Sequence, residues 1–260
     1  MTSRDDGLEG KVALISGGAS GIGRALAIAY ARAGASSVVG SYPGDPHDVD
    51  ETVSAVEAAG GRCLAVELDV RSFEQTEQFA QAGLDAFGRL DIAVAAAGIL
   101  RRQPIEEMTD EAWDDMMAVD LSGVMRIFRS SAARMADGGA LVATSSIAGG
   151  VYGWEDHAHY AAAKSGVLGL CRSLAVELAP RGIRCNAVIP GLIESPQSLD
   201  AENSLGPEGL KAAGKIIPHG RVGTVDECAR AIRFLTSDDS AYVTGQELIV
   251  DGGLTIRWPS

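Results

Sequence analysis

The sequence predicts a single α/β domain, a doubly wound parallel sheet of about seven strands with helices on both faces. Three observations predict it. Short β-like apolar runs alternate with helical stretches along the whole chain, a pattern that calls for right-handed βαβ crossovers and a parallel sheet covered on both sides. The 260 residues include 32 Gly and only 5% aromatics, which suits tight βα turns. No linker, repeat or low-complexity run divides the chain, and its 46% apolar residues suffice for a large core without disulfides.

The elements follow in order. Residues 11–16 (KVALIS) form a buried strand, and 23–33 a helix with apolar positions three and four apart. Strands at 37–41, 62–67 and 90–95 alternate with helices at 50–59 and 73–87. A long helix at 110–134 leads to a strand at 139–144. A second long helix, 160–179, leads to a strand at 183–188. A helix at 225–235 and a strand at 247–250 close the chain. The one long irregular stretch, 191–223, is broken by Pro196, Gly206, Pro207, Gly209 and Gly214. A loop of that length inside a compact domain is usually functional, and a substrate lid is expected there.

Composition excludes several classes. A formal net charge of −13 repels nucleic acid and anionic membrane surfaces. Cys63, Cys171, Cys185 and Cys228 match no zinc spacing, so no metal site is expected and the thiols read as reduced packing residues. Residues 1–10 are polar, without a signal-peptide core. Apolar runs fall short of the roughly 20 residues a membrane span needs. A cytoplasmic protein is expected.

Two clusters carry chemistry. Ser16-Gly17-Gly18-Ala19-Ser20-Gly21-Ile22-Gly23 joins the first strand to the first helix. Gly17 permits the sharp turn, Gly21 lets a pyrophosphate approach the backbone, and Gly23 packs helix on strand. The helix N-terminus offers free N–H groups to the phosphates. Tyr160 and Lys164, four residues apart at the start of a helix, share one face. The ammonium favours the phenolate and lowers the tyrosine pKa, so Tyr160 can exchange a proton with a carbonyl oxygen. Ser145 and Ser146 follow the fifth strand, and ligands in open α/β sheets bind at such strand ends.

The G-x-x-x-G-x-G spacing, together with this Tyr and Lys, resembles the compact, single-domain, Rossmann-type branch of the short-chain dehydrogenase/reductase family. The resemblance covers nearly the whole chain. It implies an NAD(P)-dependent oxidoreductase of ketones and secondary alcohols. Tyr160 is implied as acid/base, Lys164 as its partner and Ser146 as the substrate-orienting hydroxyl, with Ser145 the alternative. Ser146 and Tyr160 stand one residue further apart than is usual, which reads as an insertion in 149–159. The resemblance further implies cofactor contacts from Gly17, Ser20, Gly21, Ile22, Gly23 and Tyr42, from the adenine-side pair Asp69 and Val70, and from Ala97 and Gly98. Tyr160, Lys164, Pro190, Gly191, Ile193 and Ser195 complete the set at the nicotinamide end, and Asp251-Gly252-Gly253 matches a C-terminal family motif.

Two positions depart from the pattern. Ala95-Ala96 replaces an Asn-Asn pair. Asp120 replaces the catalytic Asn, whose main contribution is a backbone carbonyl that Asp retains, and Asp120 therefore stays among the implied catalytic residues. The family selects NAD with an Asp at the end of the second strand and NADP with a nearby basic residue. Here Ser41 and Tyr42 are neither, and Asp45 and Asp48 follow; the balance leans weakly to NADP. Trp154 either stacks on substrate or packs its loop, His157 and His159 read as exposed loop histidines, and His219 and Arg221 as loop anchors. A small-molecule partner and a homotetramer are implied, the latter through the two long helices and residues 254–260. The competing reading is a nucleotide-binding regulator of the same fold. An epimerase of the extended branch would carry a larger C-terminal substrate domain.

Overall fold

The computed structural model describes residues 6–257. The expectations for the extreme N-terminus and for residues 258–260 lie outside the described residues. The chain runs β1 (Val12–Ser16), α1 (Gly21–Ala31), β2 (Ser36–Ser41), α2 (Val49–Ala58), β3 (Cys63–Glu67), α3 (Phe73–Phe87) and β4 (Ile92–Ala95). It continues through α4 (Asp110–Met117), α5 (Val124–Ala132), β5 (Ala140–Thr144), the short turn α6 (Ile147–Gly150), α7 (Ala158–Leu178) and β6 (Arg184–Pro190). Then come β7 (Ile193–Glu194), α8 (Pro196–Leu199), α9 (Gly206–Gly214), β8 (Gly223–Thr224), α10 (Val225–Thr236) and β9 (Glu247–Val250).

The main sheet has seven strands in the order β3-β2-β1-β4-β5-β6-β9, and every pairing is parallel. Successive side chains of a strand point to opposite faces, and β1 shows it. Leu14 joins a core with Phe79, Phe128 and Val167 from α3, α5 and α7. Ala13 and Ile15 join Leu26, Val56 and Ile232 from α1, α2 and α10. Each fully buried large apolar side chain of this kind contributes about 1.5–3 kcal/mol. The Tyr30 hydroxyl, buried between α1 and α10, is matched by Thr236 Oγ1 at 2.8 Å. The cysteines are free, and burial pushes the Cys228 thiol up to about 12, as suits packing residues.

The strand order sets the site. β1 lies between β2 and β4, and the chain winds away from it in both directions, which opens a crevice at the C-terminal ends of β1 and β4. Two expectations need correction. The helix expected over 110–134 is two helices joined by a π-turn at Ala118–Gly123. Such turns insert a residue into the helix, often at functional positions, and this one contains Asp120. The stretch 191–223 is not irregular. It holds α8, α9 and β7, and β7 pairs with β8 at its end.

Candidate active site

A cavity of about 970 Å³ occupies the crevice. One end is built by the glycine loop. Gly17 (φ 71°) and Gly21 (φ 54°) take the left-handed conformation that favours glycine. A Cβ at Gly17 would lie 2.8 Å from the Ala97 backbone, and one at Gly23 2.2 Å from the Gly17 carbonyl oxygen. At Gly21 it would meet nothing within 4 Å, because this residue faces the cavity. The first turn of α1 carries no acidic residue, so its N–H groups meet no competing carboxylate. Helix terminus, bare backbone and shape together fit a pyrophosphate.

Three bracing residues escaped the sequence reading. A Cβ on Gly18 would come within 2.5 Å of Val39. The buried Thr52 hydroxyl donates to the Gly18 carbonyl at 3.0 Å and fixes the loop from α2. Ser16 Oγ accepts from the N–H groups of Ala96 and Ala97, both at 3.2 Å, so the turn after β4 is held although Ala95-Ala96 replaces the family's Asn-Asn.

At the other end, the start of α7 places Tyr160 and Lys164 against Ser146. Tyr160 is buried, with Lys164 Nζ 5.5 Å from its ring centre. Ser145 Oγ donates to the Lys164 carbonyl at 2.8 Å and is committed to holding α7. Ser146 lines the cavity, interacts with the Tyr160 hydroxyl and accepts from the Ala148 N–H at 3.1 Å. The two serines that spacing left open both line the cavity, but their bonds differ: Ser145 is tied to α7 and Ser146 to the turn after β5. Between Ser146 and Tyr160, Gly149 (φ 89°) and Asp156 (φ 60°) take the left-handed conformation.

Asp120 does not line the cavity. It lies directly behind Lys164, fully buried, with Oδ2 3.0 Å from Nζ. Its Oδ1 accepts from the Ile99 N–H at 2.8 Å. Lys164 Nζ also donates to the Thr144 carbonyl at 3.2 Å. Lys164 lowers the tyrosine pKa as expected, but the net shift is not the expected fall towards the working range. Burial, the largest effect, raises it; Lys164 lowers it, Asp120 raises it and Ser146 lowers it, and the phenol ends above its ordinary value. Burial pulls Lys164 down, but Asp120 and Tyr160 outweigh it and hold the ammonium above its usual range.

Every residue that the resemblance assigned to cofactor or catalysis lines this one cavity, except Asp120. Within it, Ile193 is fixed by the β7–β8 pairing, and Ser195 caps α8 by accepting from the Ser198 N–H. Gly191 passes so close to Asp251 that a Cβ would lie 2.6 Å from it. Arg71 was missed. Its guanidinium donates to Asp69, to Asp115 at 3.1 Å and to the Tyr42 hydroxyl at 2.9 Å, and all four residues line the cavity. Burial pushes Asp69 up, but the bonds from Arg71 outweigh it and keep the carboxyl below its usual range. Arg71 stands two residues beyond Asp69, on the loop after β3 rather than at the end of β2.

The histidines also correct the sequence reading. His157 and His159 are buried, at 3% and 1% exposure. Trp154 lines the cavity and stacks on His157 with ring centres 4.0 Å apart. His157 reaches the Glu155 carbonyl at 2.6 Å and the Asn203 carbonyl at 3.1 Å. Arg221 pairs with Glu227, and the His219 N–H donates to the Gly252 carbonyl, as loop anchors would.

Fold and site together define a dinucleotide-dependent oxidoreductase. A family model described as Enoyl-(Acyl carrier protein) reductase matches residues 17–255. The chain is 38% identical to the 3-oxoacyl-[acyl-carrier-protein] reductase FabG of Thermotoga maritima, covering 96% of this chain and 99% of that one. It is 37% identical to 3beta-hydroxysteroid dehydrogenase 1 of Eggerthella lenta, covering 96% of each. Among solved structures, levodione reductase superposes with a TM-score of 0.89 at 31% identity, covering 96% and 99%. Carveol dehydrogenase from Mycobacterium avium, in complex with NAD, superposes at 0.86 and 34%, covering 96% and 99%. A blue fluorescent protein from a metagenomic library, in complex with NADPH, superposes at 0.87 and 31%, covering 95% and 98%. The chain belongs to the short-chain dehydrogenase/reductase family, NAD(P)-dependent oxidoreductases acting on CH–OH and C=O groups. Among the described residues, no helix is long and apolar enough to cross a membrane.

Proposed function

We propose that the protein interconverts a ketone and a secondary alcohol with Tyr160 as general acid and base. The observation that carries this reading is the meeting of Tyr160, Ser146 and Lys164 in the cavity whose far end is the glycine loop. Gly17–Gly23 and the N-terminus of α1 would hold the pyrophosphate, and Asp69, Val70 and Tyr42 the adenosine side. Ala97, Gly98, Pro190, Gly191, Ile193 and Ser195 would hold the nicotinamide side. When bound, the dinucleotide supplies or accepts the hydride. The protein's own part is the proton. Ser146 orients the substrate oxygen, Tyr160 Oη gives it a proton in reduction and removes one in oxidation, and Lys164 holds the phenol in place. Proton transfer of this kind contributes about 10²–10⁴ to rate.

The outer part of the cavity is walled by Leu100, Trp154, Leu192, Leu205, Leu210 and Ile216. Such a lining favours a neutral, largely apolar substrate. The cofactor reading keeps the lean to NADP, now with Arg71 beside Tyr42 as the basic group that β2 lacks. We extend the reading to one oxidoreductase domain with a lid at 191–223, assembled as a cytoplasmic homotetramer. The test is NADH and NADPH oxidation across a panel of ketones, aldehydes and 3-oxoacyl thioesters. On the best substrate, Tyr160→Phe is expected to lose about 10² or more in turnover while still binding dinucleotide by calorimetry. Near-full turnover would sink the assignment.

A further inference from the structure

We infer that Asp120, through its ion pair with Lys164, is a positioning residue that keeps Tyr160 in its proton-donating form at neutral pH. The inference rests on the reading of Tyr160 as acid/base. It starts from one substitution of charge. The resemblance implies a neutral Asn at this position, and this chain carries a carboxylate there instead. Here Asp120 is fully buried, one oxygen fixed by the Ile99 N–H at 2.8 Å and the other 3.0 Å from Lys164 Nζ. That second oxygen has no hydrogen-bonding partner besides this ammonium among the described residues. The fit is close: a Cβ on Gly98 would lie 3.1 Å from Oδ2 and 3.3 Å from Nζ. The ammonium thus sits nearer the carboxylate than the Tyr160 ring centre, 5.5 Å away.

Charge counting gives the consequence. Asp120, Lys164 and neutral Tyr160 sum to zero. Ionising Tyr160 leaves one net negative charge in a buried cluster, which desolvation and the nearby carboxylate both disfavour. With Asn at 120, the same ionisation would instead neutralise a net positive cluster. The other titratable neighbours do not reverse this. Burial, the largest effect, pushes the Asp120 carboxyl above its usual range, with a further push from Asp115 on α4; Lys164 and the Ile99 N–H pull it down and are what favour its charged form. His159 on α7 is held below its usual range by burial, then by His157, against the pull of Asp120, and so adds no cation. The raised pKa of Tyr160 agrees in direction.

In reduction, the carbonyl carbon gains a hydride from reduced nicotinamide, which is thereby oxidised. The C=O π pair moves to oxygen, and that oxygen takes the Tyr160 proton; the phenolate then recovers a proton from water. Oxidation needs the phenolate at the outset, so its rate falls as pH drops below the Tyr160 pKa.

The test is an ultraviolet titration of phenolate absorbance in the full-length protein without cofactor, with the Tyr160 component obtained by subtracting the Tyr160→Phe variant. Asp120→Asn keeps an acceptor for the Ile99 N–H and is expected to move that component to lower pH by about one unit or more. Asp120→Ser, smaller and also uncharged, is expected to move it the same way and serves if the first variant folds poorly. The acid limb of alcohol oxidation, measured on the fastest pair of the panel, is expected to shift alongside. A Tyr160 titration unchanged in the folded variants would overturn the inference, even if turnover falls at every pH. Should Tyr160→Phe keep its turnover while the titration still shifts, the acid/base reading fails and the electrostatic pairing stands on its own.

Discussion

Arg71 shows how one side chain can weigh on cofactor choice. Its donors are already engaged by Asp69, Asp115 and Tyr42, and its guanidinium lies 5.4 Å from the Tyr42 ring centre. A ribose 2′-phosphate near Tyr42 would gain this cation but would also meet two carboxylates that share it. Guanidinium binds phosphate well through paired N–H groups, yet the compensated charge leaves only a small net preference. We expect kcat/KM for NADPH to exceed that for NADH by no more than about tenfold, the equivalent of about 1.4 kcal/mol. Arg71→Ala is expected to erase or invert that ratio, and steady-state kinetics with both cofactors checks it. A ratio that Arg71→Ala leaves unchanged removes Arg71 from cofactor choice. The same residue marks a limit of sequence reading. Motif residues such as Tyr160 and Lys164 announce themselves by spacing, but Arg71 acts across strands, from the end of β3 to the end of β2, and that neighbour relation exists only once the sheet is formed.

At the scale of elements, we propose that the segment between β6 and β8 is a lid over the site. Its ends are anchored: Ile193 pairs with Gly223, and the Gly191 N–H donates to the Val250 carbonyl. Its middle is tied to the body by the His157 ring on the Asn203 carbonyl, by the Arg102 N–H on the Asn203 side chain at 3.2 Å, and by a few buried side chains such as Leu210. Few buried contacts mean low local stability and opening without global unfolding, and closure of such a segment excludes water from a reacting centre. Amide hydrogen exchange is expected to be fast over 196–214 in the free protein and to slow when dinucleotide is added. Slow, equal exchange in both states would identify a fixed loop instead. The strands were legible in the sequence because buried parallel strands are continuous apolar runs bounded by glycine turns. α8 and α9 were not, since Pro196, Gly206 and Pro207 look like breakers. Proline at the first helical turns is equally a start signal, and both helices use it. The π-turn around Asp120 was hidden for a different reason: 110–134 contains no proline to mark an interruption, so it reads as one helix.

For the whole molecule, the open question is what covers the outer face of α7. The resemblance implied that copies pair through the long helices. In the structure, Val167, Leu168, Cys171 and Ala175 are spent on the core, with Leu170, Leu174 and Leu178 packed at its margin. What faces outward is a different row, Ser165, Gly169, Ser173 and Val176, all exposed. Val176 is 78% exposed, and a Cβ at Gly169 would meet nothing within 4 Å. Small residues four apart let another helix approach closely, and a two-fold axis would bring the same row from a second copy against it. A second exposed apolar region lies by β9, the edge strand of the sheet, with Ile249 40% and Phe234 41% exposed. An unpaired strand edge is a surface that proteins usually cover. Two distinct self-complementary faces generate a closed tetramer, whereas one gives only a dimer. Light scattering at micromolar concentration is therefore expected to report a mass near four times 26.9 kDa. Gly169→Arg places a long cation on the α7 row without touching the core and should lower the mass to that of a dimer, leaving the β9 contact in place. A monomeric parent protein would rule out the assembly. A tetramer indifferent to Gly169→Arg would move the interface off α7.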